Sequence, residues 1–373
     1  MAADWIEHPG TYIKEEIDAR GWNQRDLAFI LDVPEQAVTM LISGKRGISP
    51  DMAKALGAAF DVHADLFANL QTAYDMSRAR TPDASVAVRG KMQSTYPVRE
   101  MIKRRWIEPS DTAMLESQLG RFFEASSPDD IPYMPHAAKK SHYEEREIPP
   151  AQLAWLFRVR QIAKVNAVPP YSESALRTAT KELETLMVAP EEARHVSRIL
   201  MSCGVQFIVV EKLPGSEIDG VCFWTKNNPV IGMTMRRDTI DNFWFVLRHE
   251  IDHVLRGDGK SEEVIDKLDG ENASATSEAI SEQERAANAA AANFCAPTEK
   301  VVSFIKRKHP FYYEKDVIAF ARLVQRHPGL VVGQMQFRLN RYDYLSRHLA
   351  KIRQFVLPGA TVDGWGQVAP VSL

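Results

Sequence analysis

Residues 240–256 read Ile-Asp-Asn-Phe-Trp-Phe-Val-Leu-Arg-His-Glu-Ile-Asp-His-Val-Leu-Arg, and Gly257 follows. Ile240, Phe243, Phe245, Leu247, Ile251, Val254 and Leu255 give this stretch the apolar faces of a buried helix over about 239–256, and Gly257 gives it a stop. Inside it lies His249-Glu250-Ile251-Asp252-His253. Side chains four residues apart share one face of a helix. His249 and His253 can therefore grip one zinc ion, while Glu250 between them faces the water that the ion would activate. Glu250 is then placed to take a proton and hand it to a leaving amine. Asp252 falls on a different face and points away. A His pair on a solvated helix surface has the same spacing, so the chemistry requires a third ligand.

A second helix, near 282–296, offers one. Glu284-Arg285-Ala286-Ala287-Asn288 opens it, Ala291 continues it and Pro297 closes it. Its small residues would let it pack closely on the first helix, which makes Glu284 one candidate for a third ligand. Three other readings stand beside this one. Glu284 can complete a capping box with Ser281, Glu278 or Glu282 can be the ligand, or the alanines can serve packing alone. Upstream, helices at 151–165, 173–187 and 190–203 lead to three β-rich runs, Val205–Val210, Gly220–Trp224 and Pro229–Thr234, with Asp219-Gly220 as a turn. The polar stretch from Gly257 to Ser277 reads as a loop. The fold class is mainly α with a small β-sheet.

Residues 22–43 carry a different pattern. Asn23 is an N-cap candidate for a helix over 24–31, Asp32-Val33 makes a tight turn, and Pro34 suits the first turn of a second helix ending near Ser43-Gly44. Leu27, Ala28, Val33, Val38 and Leu41 would form the core of a helix-turn-helix. The second helix would offer Gln36 and Thr39 to a major groove, with Gln24 beside them and Lys45 and Arg46 at the phosphates. Charge argues the other way. Residues 1–76 hold twelve Asp and Glu against six Lys and Arg, the wrong sign for a phosphate lattice. DNA binding there requires the cations on one face, and a homodimer.

At 373 residues the chain is too long for one ordinary core. Three regions are expected: 1–76 as a helix-turn-helix domain, 77–150 as a proline-broken helical connection beginning with a polar stretch to Gly90, and 151–373 as the domain holding the His pair. A net charge of −3 gives no general support for nucleic-acid binding. Three scattered cysteines, Cys203, Cys222 and Cys295, argue against a disulfide scaffold. No apolar run approaches the ~18–20 residues of a membrane span, and Met1-Ala2-Ala3-Asp4 does not open a signal peptide. A cytoplasmic protein without a membrane partner is expected. His195, His309 and His327 read as structural or exposed, with His327 a candidate for the cleft. Lys103-Arg104-Arg105-Trp106 reads as a solvated helix face, with contact to DNA or to an acidic partner as the alternative.

Two resemblances extend this reading. His8-Pro9-Gly10, Leu27-Ala28, Ser43-Gly44-Lys45-Arg46-Gly47-Ile48-Ser49-Pro50-Asp51-Met52-Ala53 and Asn69-Leu70-Gln71-Thr72-Ala73-Tyr74-Asp75 resemble HigA-type antitoxins across residues 8–76. His249–His253 with Glu284, together with Val205–Val209 and the stretch His327–Gln336, resembles ImmA/IrrE-type zinc metallopeptidases. The first resemblance implies an autoregulating repressor that binds operator DNA and a cognate toxin, HigB-like or another short protein. The second implies zinc on His249, His253 and Glu284, with Glu250 as the catalytic base. Pro34-Glu35, at the start of the recognition helix, and Arg248 and Asp252, beside the histidines, depart from the family patterns. The rival reading is a regulatory zinc endopeptidase that cleaves a repressor or other protein and uses DNA binding only for localisation. A binding protein with structural zinc is a third.

Overall fold

The computed structural model describes residues 6–125, 137–138, 149–258, 260 and 273–369, with 137–138 and 273–281 as backbone alone. The chain divides into two compact units, Met1–Val86 and Ala87–Leu373.

The smaller unit is a set of helices, α1 (Pro9–Ala19), α2 (Gln24–Leu31), α3 (Glu35–Ile42), α4 (Pro50–Phe60) and α5 (Asp65–Arg78). Its local structure follows from capping. The Asn23 side chain accepts the N–H groups of Arg25 and Asp26, and the Asp26 carboxylate accepts the N–H of Asn23. This reciprocal box satisfies donors that the first turn leaves open. Asp32 ends α2 in the left-handed region at φ 52°. Pro34 stands just outside α3, one residue earlier than its expected place in the first turn. Ser49 caps α4 with Pro50 at its first position, as expected. Leu27, Ala28, Val38 and Leu41 are buried with Ile13, Ile17, Leu56, Phe60 and Phe67, while Val33 is half-buried. Gly10 has a steric reason: a Cβ there would lie 2.3 Å from the Leu41 carbonyl oxygen.

The larger unit holds α6 (Ala84–Thr95), α7 (Val98–Lys103), α8 (Thr112–Phe122), β1 (Ala137–Ala138), α9 (Pro150–Val165), α10 (Glu173–Thr185), α11 (Val196–Ser202), β2 (Gln206–Val210), β3 (Gly220–Thr225) and β4 (Asn228–Met233). After these come α12 (Ile240–Arg256), α13 (Ala273–Cys295), α14 (Thr298–Lys308), α15 (Glu314–Leu323), α16 (Pro328–Leu339), α17 (Arg353–Val356) and β5 (Thr361–Asp363). The strand order is β1-β3-β4-β2-β5; β3 pairs antiparallel with β1 and β4, and β2 pairs parallel with β4 and β5. Alternation along β2 assigns the two faces. Phe207 and Val209 join a core with α10, α11 and α12, whereas Ile208 and Val210 join one with α7, α8 and α9. Helices thus cover both faces, so Phe207–Val210 of β2 runs apolar without a break. The Trp155 indole N–H donates to the Val210 carbonyl at 2.9 Å and pins α9 to the sheet.

The molecule is mainly α with a small mixed sheet, and its packing corrects three expectations. Residues from Met92 to Phe123 do not form a separate connection: Met101, Trp106, Leu119 and Phe122 share the core of α9 and the sheet. The break between units therefore falls near residue 86, not at 76 or 150. The expected Ser77–Gly90 linker is mostly helical, since α5 reaches Arg78 and α6 begins at Ala84. The expected loop from Gly257 to Ser277 is helical from Ala273, while its residues 261–272 lie outside the described residues. Strand β5 was not expected. It is held by a buried ion pair between Arg158 and Asp363, whose carboxylate also accepts the Trp106 indole N–H at 3.2 Å.

Candidate metal centre and nucleic-acid interface

Helix α12 is amphipathic and its inner face is sealed: His249, Glu250 and His253 are buried among Val246, Leu247 and Ile251. Its other polar residues form a separate ladder, with Asp252 accepting from Arg248 at 3.0 Å and from Arg256 at 2.6 Å. Asp252 therefore turns away from the histidines, as its position in the helix requires.

Helix α13 packs along α12 through Ala287 and Ala291, both fully buried. The same face, one turn earlier, presents Glu284. The three side chains meet: the two Nε2 atoms are 3.0 Å apart, Glu284 Oε2 lies 3.4 Å from His249 Nε2, and Glu284 Oε1 lies 3.3 Å from His253 Nε2. The alternatives for Glu284 fare differently. Because α13 begins at Ala273, Ser281 lies in its interior and has no terminus to cap. Glu282 is exposed. The Glu278 side chain lies outside what is described.

A partner not foreseen from the sequence is Asp258. Its Oδ2 lies 2.8 Å from His253 Nδ1, just past the Gly257 C-cap at φ 76°. A carboxylate on Nδ1 fixes the tautomer that leaves Nε2 facing Glu284. A carboxylate one residue after the glycine stop was the available signal.

Electrostatics point the same way. Burial opposes a charged ring at His253, yet its bonds to Asp258 and Glu284 and the charges of Glu250 and Glu284 outweigh this and raise its pKa to about 10. Burial would raise Glu284, but the bonds and charges of His249 and His253 bring it down to about 2. Positive charge is favoured in this pocket. Ligand atoms on ~2.0–2.1 Å bonds to tetrahedral zinc lie about 3.3 Å apart, which matches the three separations. The donor set of two imidazoles and one carboxylate fits zinc with an open fourth position.

Strand β3 comes close to Glu250 from the sheet side. A Cβ at Gly220 would lie 2.7 Å from Glu250 Oε1 and from Val246 Cγ1, so glycine is what lets β3 approach the carboxylate. Asp219, the residue before it, receives a two-point bond from Arg236 at 2.9 and 2.8 Å. His327 is not part of this cluster. Its Nδ1 accepts the Gly329 N–H at 3.1 Å as the cap of α16, and burial lowers its pKa. Arg104 of the basic run is also committed, donating to the carbonyls of Glu211 and Lys212 at 2.8 and 2.7 Å.

On the smaller unit, α3 leaves Gln36 and Thr39 exposed. Gln24 and Thr39 are brought together, the Thr39 hydroxyl donating to Gln24 Oε1 at 2.8 Å. Lys45 and Arg46 are exposed in the turn after α3, where their N–H groups close on the Met40 carbonyl at 2.9 and 3.1 Å. The Arg25–Glu35 pair at 3.2 Å flanks the start of α3. Gln71, by contrast, is structural. It accepts the Ile48 N–H at 2.8 Å and donates to Asp75 at 2.9 Å, which ties α5 to the turn before α4.

Residues 13–67 match the helix-turn-helix family, and residues 206–340 match the IrrE N-terminal-like domain of peptidase family M78. The chain thus carries a helix-turn-helix domain in its N-terminal part and an IrrE N-terminal-like domain in its larger unit. Among curated proteins it is similar to virulence-associated protein A' of Dichelobacter nodosus, 42% identical over 19% of this chain and 63% of that protein. It is also similar to virulence-associated protein A of the same organism, 32% identical over 26% of this chain and 92% of that protein. The chain therefore spans a little under two thirds of the first relative's length and most of the second's. Among solved structures, an addiction module antidote protein of a HigA family from Coxiella burnetii is 30% identical over 23% of this chain and 90% of that one, at a TM-score of 0.19. Among the described residues, no helix is long and apolar enough to cross a membrane.

Proposed function

We propose that this protein is an antitoxin and autoregulating transcriptional repressor of a toxin–antitoxin operon, with a zinc-dependent metallopeptidase domain that cleaves or binds a protein partner. It would act as a cytoplasmic homodimer on operator DNA. The antitoxin half of the reading rests on the HigA-type pattern of residues 8–76. The peptidase half rests on one observation, the close triangle of His249, His253 and Glu284 beside a buried Glu250.

In that centre His249 and His253 offer Nε2 and Glu284 offers a carboxylate oxygen. Zinc held by them supplies Lewis acidity and eases the deprotonation of water. Asp258 holds His253 in one tautomer. Glu250 accepts the proton of the attacking water and delivers it to the amine nitrogen of the departing peptide. Gly220 keeps the neighbouring strand close without crowding the base. The same residues favour the second reading, a regulatory zinc endopeptidase with DNA binding for localisation, because a structural site has no use for a buried base.

Metal analysis tests the assignment. We expect about one zinc per chain in protein purified without chelator, and none in Glu284→Ala. A wild-type protein free of metal, or a mutant with unchanged zinc, would remove the centre from the proposal.

A further inference from the structure

The helices that follow the candidate metal centre carry a charge that the rest of the chain does not. Residues 298–353 hold twelve Lys and Arg against four Asp and Glu, a net of +8 in a chain whose overall charge is −3. Helices α14, α15 and α16 pack around their own core of Val301, Phe304, Val317, Phe320, Val331 and Met335. The Phe304 and Phe320 rings stack at 4.5 Å between the first two.

Outside this core the surface combines free cations with bare rings. Lys306, Arg307, Lys315 and Arg338 are exposed and have no ion-pair or hydrogen-bond partner among the described residues. Between α14 and α15, Phe311 is 67% exposed and Tyr313 is 60% exposed. Their rings lie nearly parallel, 21° apart with centroids at 6.4 Å. The segment after α16 joins the same surface: Tyr344 donates to the Tyr312 carbonyl, Arg347 pairs with Glu314, and His348 Nε2 lies 2.6 Å from Glu314. This brings exposed Tyr342 and Arg341 to the segment that carries Phe311 and Tyr313. Leaving large rings in water is costly unless something covers them.

The chemistry of the cover follows from what the surface lacks. The second helix of the α15–α16 pair cannot enter a duplex groove, because Leu330–Val332 and Gln334–Gln336 are buried. Cations with unhindered flat rings instead suit an unpaired strand, whose phosphates follow the charge and whose bases stack on the rings. We propose that the α14–α16 surface, centred on Phe311 and Tyr313, binds single-stranded nucleic acid independently of the helix-turn-helix unit.

The test is fluorescence anisotropy of full-length protein with an oligothymidylate of about 20 nucleotides. Wild-type protein should bind it, and Phe311→Ala with Tyr313→Ala should weaken binding at least about tenfold. Phe311→Leu with Tyr313→Leu keeps apolar volume but no stacking plane, and should lose as much. Lys306→Ala with Arg307→Ala should flatten the log–log salt slope by about 1.4. Lys45→Ala with Arg46→Ala should weaken duplex binding and keep most of the affinity for the oligothymidylate. No binding by the wild type overturns the proposal, as does unchanged affinity in both ring variants. Tighter binding of a polyglutamate of matched charge assigns the surface to an acidic protein instead, and also overturns it.

Discussion

The candidate metal centre and the candidate recognition face of α3 meet solvent in opposite ways, and their legibility differs accordingly. His249, Glu250 and His253 are buried; Glu284 on a second helix meets both histidines, Asp258 meets His253, and strand β3 approaches Glu250 at Gly220. Gln36, Thr39, Lys45 and Arg46 stand in water, where among the described residues only Thr39 has a side-chain partner on another helix. Buried polar groups must be matched or they cost free energy. Chemistry placed there is overdetermined, so its spacing in the sequence reveals it. A surface that waits for a partner is bound by no such condition. In the smaller unit several family-like residues, among them Gly10, Leu27, Ser49 and Gln71, hold helices together and read nothing.

The largest expected effect tests how much of the sealed site is chemistry. Glu250→Gln keeps the shape and both imidazoles but removes the proton acceptor. Hydrolysis of a peptide substrate should fall by about 10²–10⁴, with zinc content and DNA binding intact. Toxin neutralisation, read as growth on co-expression, should survive, because we take it to work by binding. Cell death at normal protein levels would reverse that reading and make proteolysis the antitoxic act.

Asp258→Asn comes next. It keeps a hydrogen-bond acceptor beside His253 Nδ1 but removes the charge. Zinc affinity should fall about 10–100-fold, measured by competition with a chromogenic chelator. An unchanged affinity would mean that His253 is oriented by the helix alone.

How far the sequence reached follows the same division. The limits of α12 and the three inner strands were readable from apolar period, and the His249/His253 pair from its spacing, whereas Glu284 was singled out over Glu278 and Glu282 only by the resemblance to ImmA/IrrE-type peptidases. The start of α13 was not readable, since residues 273–281 are Ala, Ser, Thr and Glu with Ile280 as the one large apolar side chain, too few to show an apolar period. Strand β5 was missed because Thr361-Val362-Asp363 is too short to show alternation and owes its place to Asp363 meeting Arg158. The helices from 92 to 123 read as a linker because prolines punctuate them, while their apolar residues pack against partners on α9 and the sheet.

On the exposed side the effects shrink. Gln36→Ala should cost about 1–3 kcal/mol on the specific operator and little elsewhere. Thr39→Ala and Gln24→Ala should not add, because the two side chains share one hydrogen bond. A double-mutant cycle by anisotropy on operator DNA checks this, and strict additivity would place the pair outside the interface.

The smallest effect concerns Lys45. It stands exposed in the turn after α3 with its N–H committed to Met40 and its ammonium free to meet a phosphate. A phosphate contact carries no base information, so Lys45→Ala should weaken operator and random duplex alike. Each phosphate released lowers the log–log salt slope by about 0.9, and a symmetric dimer loses one contact per half-site, so the slope should fall by nearly twice that. The count also tests assembly. Residues 1–76 have twice as many acidic as basic side chains, and one copy offers few cations to a duplex. A slope change of about 0.9 instead of twice that, together with a footprint lacking two-fold symmetry, would show a single copy on DNA and break the dimeric reading.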